Sequence, residues 1–112
     1  RLKDMEKVTE ARRTNAERYR RLFGDAKLLD WAKLPTDTDR HAYHQFVTRV
    51  PQKQRDAAIT HLRSQGIGCA VYYPIPFHRQ PCFQHLGALA KDFPVAEQAS
   101  AEALALPIFQ GL

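Results

Sequence analysis

The sequence predicts an α+β domain, a small, mainly antiparallel sheet packed with helices. Three observations lead there. An apolar stripe at helical spacing runs through a basic opening segment; aromatic and β-branched residues alternate with polar ones over 43–50; and the order extended, helical, extended spans residues 43–73.

In the opening segment Leu2, Met5, Val8, Tyr19, Leu22 and Phe23 recur at helical spacing with Ala11, Asn15 and Ala16 between them, and Gly24 is the expected stop. No capping residue precedes the periodic pattern, so this helix is expected to begin upstream of Arg1. Residues 28–34 form a short apolar run closed by Pro35, which predicts a short strand before the polar turn Thr36-Asp37-Thr38-Asp39. Tyr43 to Val50 reads as a second strand, stopped by Pro51 because proline has no N–H for a ladder. Gln54 to Gln65 places Ala58, Ile59 and Leu62 on one helical face, and Gly66 stands where a left-handed cap belongs. Ile67 to Tyr73 returns to extended character. Asp92 is the expected N-cap, with Pro94 in the first turn, of a helix running to about Ala103, and Leu104 to Leu106 reads as one more short strand.

Composition bounds the function classes. The chain has 112 residues, 44% hydrophobic and 26% charged, which is enough for one modest core. No apolar run approaches the roughly 20 residues of a membrane helix and the N-terminus has no signal-peptide pattern, so a cytoplasmic protein with no membrane partner is expected. Two cysteines, Cys69 and Cys82, do not make a disulfide framework. The net charge is +5, and residues 1–23 hold eight Lys/Arg against four Asp/Glu. Such a bias suits a nucleic acid or a phosphorylated small molecule, but more often such a stripe is only the solvated face of a helix.

The segment richest in chemistry is Tyr72-Tyr73-Pro74-Ile75-Pro76-Phe77-His78. Each proline fixes its own φ and holds the residue before it extended, so the loop is stiff. Two phenols and an imidazole on a stiff loop after a strand can bond sugar hydroxyls or phosphate oxygens and offer flat faces to a ring. Without further information the same residues also fit two tyrosines packed at a sheet edge and a histidine opening a helical turn.

This run, followed by Gln80-Pro81 and Leu86-Gly87, resembles a hallmark of the DegT/DnrJ/StrS family of pyridoxal-phosphate-dependent sugar aminotransferases. Asn15-Ala16-Glu17-Arg18-Tyr19 resembles that family's helix signature, and His41-Ala42-Tyr43-His44-Gln45-Phe46 its strand. Arg55-Asp56, Gly66-Ile67-Gly68, Phe93-Pro94-Val95-Ala96-Glu97 and Leu104-Ala105-Leu106-Pro107-Ile108 extend the likeness in order along nearly the whole chain.

The resemblance implies the small C-terminal domain of a fold-type I aminotransferase. Residues 1–112 would be a single domain, cut short at both ends, of a longer enzyme whose large domain binds pyridoxal phosphate and supplies the Schiff-base lysine. Lys3, Lys7, Lys27, Lys33, Lys53 and Lys91 do not resemble the lysine motif, so no catalytic residue is assigned to this chain. By matched position Tyr72, Tyr73 and His78 would be substrate-binding. The implied reaction moves an amino group from a donor such as glutamate to a nucleotide-linked keto-sugar, in a homodimer. Relatives in which the lysine is replaced act as dehydratases, and the residues present here fit either.

Other constellations are weaker. Cys69, His78, Cys82 and His85 lack the paired short spacings of a zinc site, so no metal is expected. His41, His44 and His61 fall on a turn, a strand and a helix, and Asp56 near His44 or His61 has no nucleophile elbow beside it. The alternative functions are a stand-alone binding module for nucleic acid, with Tyr43, Phe46, Tyr72 and Tyr73 as stacking platforms, or a structural oligomerisation domain. No Lys/Arg-Gly-Phe run or GXXG loop supports nucleic acid as a partner.

Overall fold

The computed structural model describes residues 2–87 and 92–112, and of Leu2 the backbone alone. Helix α1 (Leu2–Asp25) buries Asn15 and Ala16 and partly buries Tyr19 and Phe23, which lie on one edge at three- and four-residue spacing. The expected stripe is therefore only half used, since Met5 and Leu22 are 64% and 52% exposed.

The helix also passes the stop expected at Gly24. Ala26 N–H bonds the Leu22 carbonyl and carries the turn onward, and Lys27, at φ +58°, takes the left-handed position. Leu28 N–H then reaches the Phe23 carbonyl at 2.9 Å and Lys27 N–H the Gly24 carbonyl at 3.1 Å, the paired bonds that close a helix end.

No full strand forms over 28–34. Trp31 and Ala32 N–H both bond the Leu28 carbonyl, making a turn that buries Ala32, and only Lys33 pairs, antiparallel with Arg49. Strand β1 (Phe46–Arg49) is shorter than the alternation over 43–50. Tyr43 sits at φ +48° with its N–H on His41 Nδ1 at 3.0 Å, a bend that keeps the preceding residues out of a ladder.

After Pro51, α2 (Gln52–Ser64) starts two residues earlier than the sequence suggests, and Gly66 closes it at φ +78° as expected. Residues 67–73 pair only at Ala70, with Ala105. Helix α3 (Pro94–Glu102) begins with Pro94 at its first position and Phe93, not Asp92, at the N-cap position. It runs without a loop into β2 (Ala103–Leu106), one residue longer than the expected strand.

Strands β1 and β2 pair antiparallel, Phe46 opposite Leu106 and Thr48 opposite Leu104. The bridge at Lys33 lies on the far side of β1 and the bridge at Ala70 on the far side of β2. β1 and the Ala70 segment thus run the same way with β2 between them and α2 as the crossover, a split β-α-β arrangement. The α+β class holds, with a sheet of two strands and one-residue extensions at both edges.

Two apolar clusters share Leu106. One joins Ala16 and Tyr19 of α1 to Tyr43, Phe46 and Ile108; the other joins Ala32, Val50, Leu104 and the α2 face of Ala58, Ile59 and Leu62. Polar staples fix α1 against them. Asn15 Nδ2 donates to the Phe109 carbonyl at 3.0 Å and the Tyr19 hydroxyl to the Pro107 carbonyl at 2.6 Å.

Arg20 Nη2 donates to the Pro35 carbonyl and to the Tyr43 hydroxyl, which in turn donates to Asp37 Oδ1 at 2.6 Å. That hydrogen bond from Tyr43, helped by the Arg13 and Arg20 guanidinium groups, holds the Asp37 carboxyl below its ordinary pKa. A carboxylate whose folded pKa is depressed contributes stability above its unfolded value of about 4 and loses it as pH falls through the folded value. Asp37→Asn is therefore expected to flatten the loss of stability below about pH 4. Urea midpoints measured against pH check this, and parallel acid limbs for both proteins would refute it.

Candidate functional site

Beyond Ala70 the chain leaves the sheet and forms an arm. Pro76 is buried in extended conformation, at φ −58° and ψ 150°, and directs the chain into a 3₁₀ turn over Phe77–Arg79. A second 3₁₀ turn, Pro81–Leu86, ends at Gly87 with φ +73°. The Phe77 and Phe83 rings meet with centroids 4.4 Å apart, and Gln80 Nε2 bonds the Ile75 carbonyl at 3.3 Å, so the arm is braced internally.

Tyr72 and Tyr73 stand where the arm begins, 41% and 71% exposed, their rings edge to face with centroids 5.9 Å apart. Both line a cleft of about 370 Å³ whose other walls come from β1, from Ile75 and Phe77 on the arm, and from Ala96, Ala99 and Ser100 on α3. Tyr72 also borders a second cleft, of about 340 Å³, together with Arg12, His44, Gln45 and Phe109.

His78 is placed differently. Its Nε2 lies 2.9 Å from Glu97 Oε1, its ring packs on Phe93 at 4.6 Å, and its side chain is 9% exposed. An ionised carboxylate only accepts, so Nε2 carries the proton and Nδ1 is the atom left to accept in the neutral ring. Arg79 Nη1 adds a 3.0 Å bond to Glu97 Oε2. The pair ties the arm to α3, and His78 lines neither cleft that Tyr72 borders.

The structure therefore brings Tyr72 and Tyr73 together at one cleft, while His78 lines neither cleft and ties the arm to Glu97 of α3. It also adds lining residues that the pattern of the sequence did not single out. Arg49 lines the first cleft, where its charge is engaged by Glu102 at 3.1 Å. Arg12 lines the second, and its Nε is buried with no hydrogen-bond partner. The signal for Arg12 lay in the basic stripe of α1, where it is one of seven cations and Arg13 and Arg20 also turn inward, onto the His41 and Pro35 carbonyls. Tyr43 and Phe46 are 1% and 0% exposed, so two of the four rings of a nucleic-acid stacking platform are core residues.

Among the described residues no helix is long and apolar enough to cross a membrane. The clefts offer aromatic faces, phenol hydroxyls and amide groups, which is equipment for binding and orienting a polar ring.

A pleiotropic regulatory protein of Geobacillus stearothermophilus is 41% identical over 110 residues, covering 96% of this chain and 29% of its own. A UDP-N-acetyl-3-dehydro-alpha-D-glucosamine 3-aminotransferase of Acidithiobacillus ferrooxidans is 42% identical over 72 residues, 64% of this chain and 18% of its own. The crystal structure of S. venezuelae DesV in complex with a ketimine intermediate superposes with a TM-score of 0.85 at 26% identity, covering 99% of this chain and 29% of DesV. The chain thus spans less than a third of the length of each. The sequence profile of the DegT/DnrJ/EryC1/StrS aminotransferase family matches residues 1–112, and the chain belongs to that family.

Proposed function

We propose that residues 1–112 form the small domain of a longer pyridoxal-phosphate-dependent aminotransferase that acts on nucleotide-linked keto-sugars, and that this domain is not catalytic alone. The family match along the whole chain carries the reading. The exposed rings of Tyr72 and Tyr73 at a cleft of about 370 Å³ support the sugar side of it. Sugar rings present apolar faces to aromatic groups and hydroxyls to phenols, and a proline-stiffened arm holds both at small entropic cost. The amino donor in this proposal is glutamate or a similar amino acid, the assembly a cytoplasmic homodimer.

Members of the family depend on pyridoxal phosphate. Covalent attachment of that cofactor needs an amine inside a cleft with a lowered pKa or a neighbouring base. Lys3, Lys7, Lys27, Lys33 and Lys53 are all exposed, no lysine lines either cleft bordered by Tyr72, and Lys91 lies outside the described residues. The described residues do not fit a lysine-bound cofactor. The share of this chain is to hold and orient the amino acceptor.

Titrating the chain with pyridoxal phosphate, followed by ultraviolet-visible spectra and borohydride reduction, is expected to label surface lysines slowly and without selectivity. A one-to-one reducible adduct at a single lysine would overturn the division of labour proposed here.

A further inference from the structure

His41 stands on the bend that leads into β1, and the neutral form of its ring holds that bend. Its Nδ1 accepts the Tyr43 N–H at 3.0 Å, and its ring stacks on the Tyr43 ring with centroids 3.9 Å apart and 17° between the planes. A nitrogen that accepts is unprotonated, so in this bend Nε2 carries the one proton of the ring. Tyr43 is buried at φ +48°, a conformation that a bulky residue keeps only where its surroundings hold it. Asp37 and Arg20 hold its hydroxyl end. Arg13 donates to the His41 carbonyl at 2.9 Å, and the His41 N–H reaches the Thr38 carbonyl at 3.2 Å. The Tyr43 N–H itself depends on the imidazole.

We propose that His41 is a proton-operated latch, which keeps the bend at Tyr43 closed while the imidazole is neutral and opens it when Nδ1 is protonated. Protonation sets two donors, Nδ1–H and the Tyr43 N–H, face to face, and one of them must move. A ring that swings away takes the stack with it and leaves a buried N–H without an acceptor, so the left-handed turn loses its brace. The closed form binds one proton fewer at this ring than the open form, so the bend is secure at high pH and is released as pH falls. The charged groups around the ring do not switch in the same window. Arg13, with its guanidinium 5.8 Å from the Tyr43 ring centroid, and Arg20 stay cationic. Asp37, held below its ordinary pKa by the Tyr43 hydroxyl and these two guanidinium groups, stays ionised, and burial, helped by Asp37, keeps the Tyr43 phenol protonated. The neighbours Asp39 and Arg40 are exposed. The latch moves the chain just beyond it. His44 and Gln45 line the cleft of about 340 Å³ that Tyr72 borders, whereas Phe46 and Thr48 are fixed by the sheet and the core. Protons thereby act on the lining of that cleft and leave the sheet intact, whatever the cleft binds.

NMR of the isotope-labelled chain between about pH 8 and 5, the span in which histidine titrates, tests the latch. At the upper end His41 Nδ1 is expected to give an unprotonated signal. As it protonates, the Tyr43 amide signal should move with the same midpoint, and its solvent exchange, corrected for the intrinsic pH dependence, should rise about tenfold or more. The His44 and Gln45 amides should follow, while those of Phe46 and Thr48 stay protected. Two variants separate the latch from general loosening in acid. In His41→Asn the side-chain Oδ1 accepts the same N–H two residues on and does not titrate, so the Tyr43 amide should stay protected over the whole span. In His41→Ala no acceptor remains, and the amide should be open even at the upper end. His44→Gln removes the neighbouring imidazole and should leave the Tyr43 transition in place.

A Tyr43 amide indifferent to the charge on His41, a transition that survives in His41→Asn, or a protonated Nδ1 beside a protected Tyr43 amide would overturn the proposal. Should His41→Ala fail to fold, the shared midpoint in the parent and its loss in His41→Asn decide the matter.

Discussion

Phe46→Ala is expected to cost about 3–5 kcal/mol and to leave the chain largely unfolded at 37 °C. Phe46 is 0% exposed and lies against Tyr19, stacked at 4.9 Å, and Tyr43 at 6.0 Å. Ala16 and Ile108 complete its surroundings, so its removal opens a cavity where α1, β1 and the segment after β2 meet. The total available to absorb that loss is small. The chain exposes 8382 Å², against roughly 6,300 Å² for a compact monomer of its mass, so less burial offsets the entropy of ordering the chain. Denaturant unfolding followed by circular dichroism measures the effect, and Phe46→Leu, which keeps most of the volume, should lose less than half as much. A Phe46→Ala protein that melts within a few degrees of the parent would mean that the core does not centre on this ring.

The second large effect belongs to the arm and is read in the longer enzyme proposed to carry this chain. There Tyr73→Phe is expected to lower kcat/KM for the keto-sugar acceptor on the order of ten- to a hundredfold, the loss of about 1–3 kcal/mol of positioned hydrogen bonding. The half-reaction with the amino donor should hardly change. Tyr73 is 71% exposed, so removing its hydroxyl leaves no buried group unpaired and the melting temperature should hold.

His78→Ala should lower acceptor turnover together with stability, because it removes both the bond to Glu97 and the packing on Phe93. Glu97→Gln separates the two contributions. An amide oxygen still accepts from His78 Nε2–H but its NH2 then faces Arg79 Nη1, so one of the arm's two ties is kept and acceptor turnover should fall less than in His78→Ala. Rapid-mixing measurement of the two half-reactions, with melts of each variant, distinguishes these outcomes. Full acceptor activity in Tyr73→Phe would show that the phenol does not touch the sugar.

Local patterns of the sequence determined the parts of this protein that depend on neighbours along the chain. The α+β class, the helix closed by Gly66, the proline entry to α3 and the strand at 104–106 all follow from periodicity and from residues with few backbone options. The stiffness of the Tyr72–His78 arm is of the same kind, and so is the likeness carried by its spacing. Tertiary structure decided the rest, because it depends on which distant groups meet. Residues 28–34 have the apolar character of a strand, yet Ala32 is drawn into a turn among Val50, Ile59 and Leu104. Tyr43 reads as a strand residue, yet Asp37 and Arg20 hold its hydroxyl and its backbone turns left-handed. His78 reads as a ligand group beside two tyrosines, and only the fold shows that its Nε2 meets Glu97, nineteen positions onward, and ties the arm to α3. Arg12 is one cation of many in a basic stripe, and only the packing of α1 against the segment after β2 gives its guanidinium a cleft to line. A side chain's partner across space is set by the net balance of burial and hydrogen bonding over the whole fold, which no local window of sequence contains.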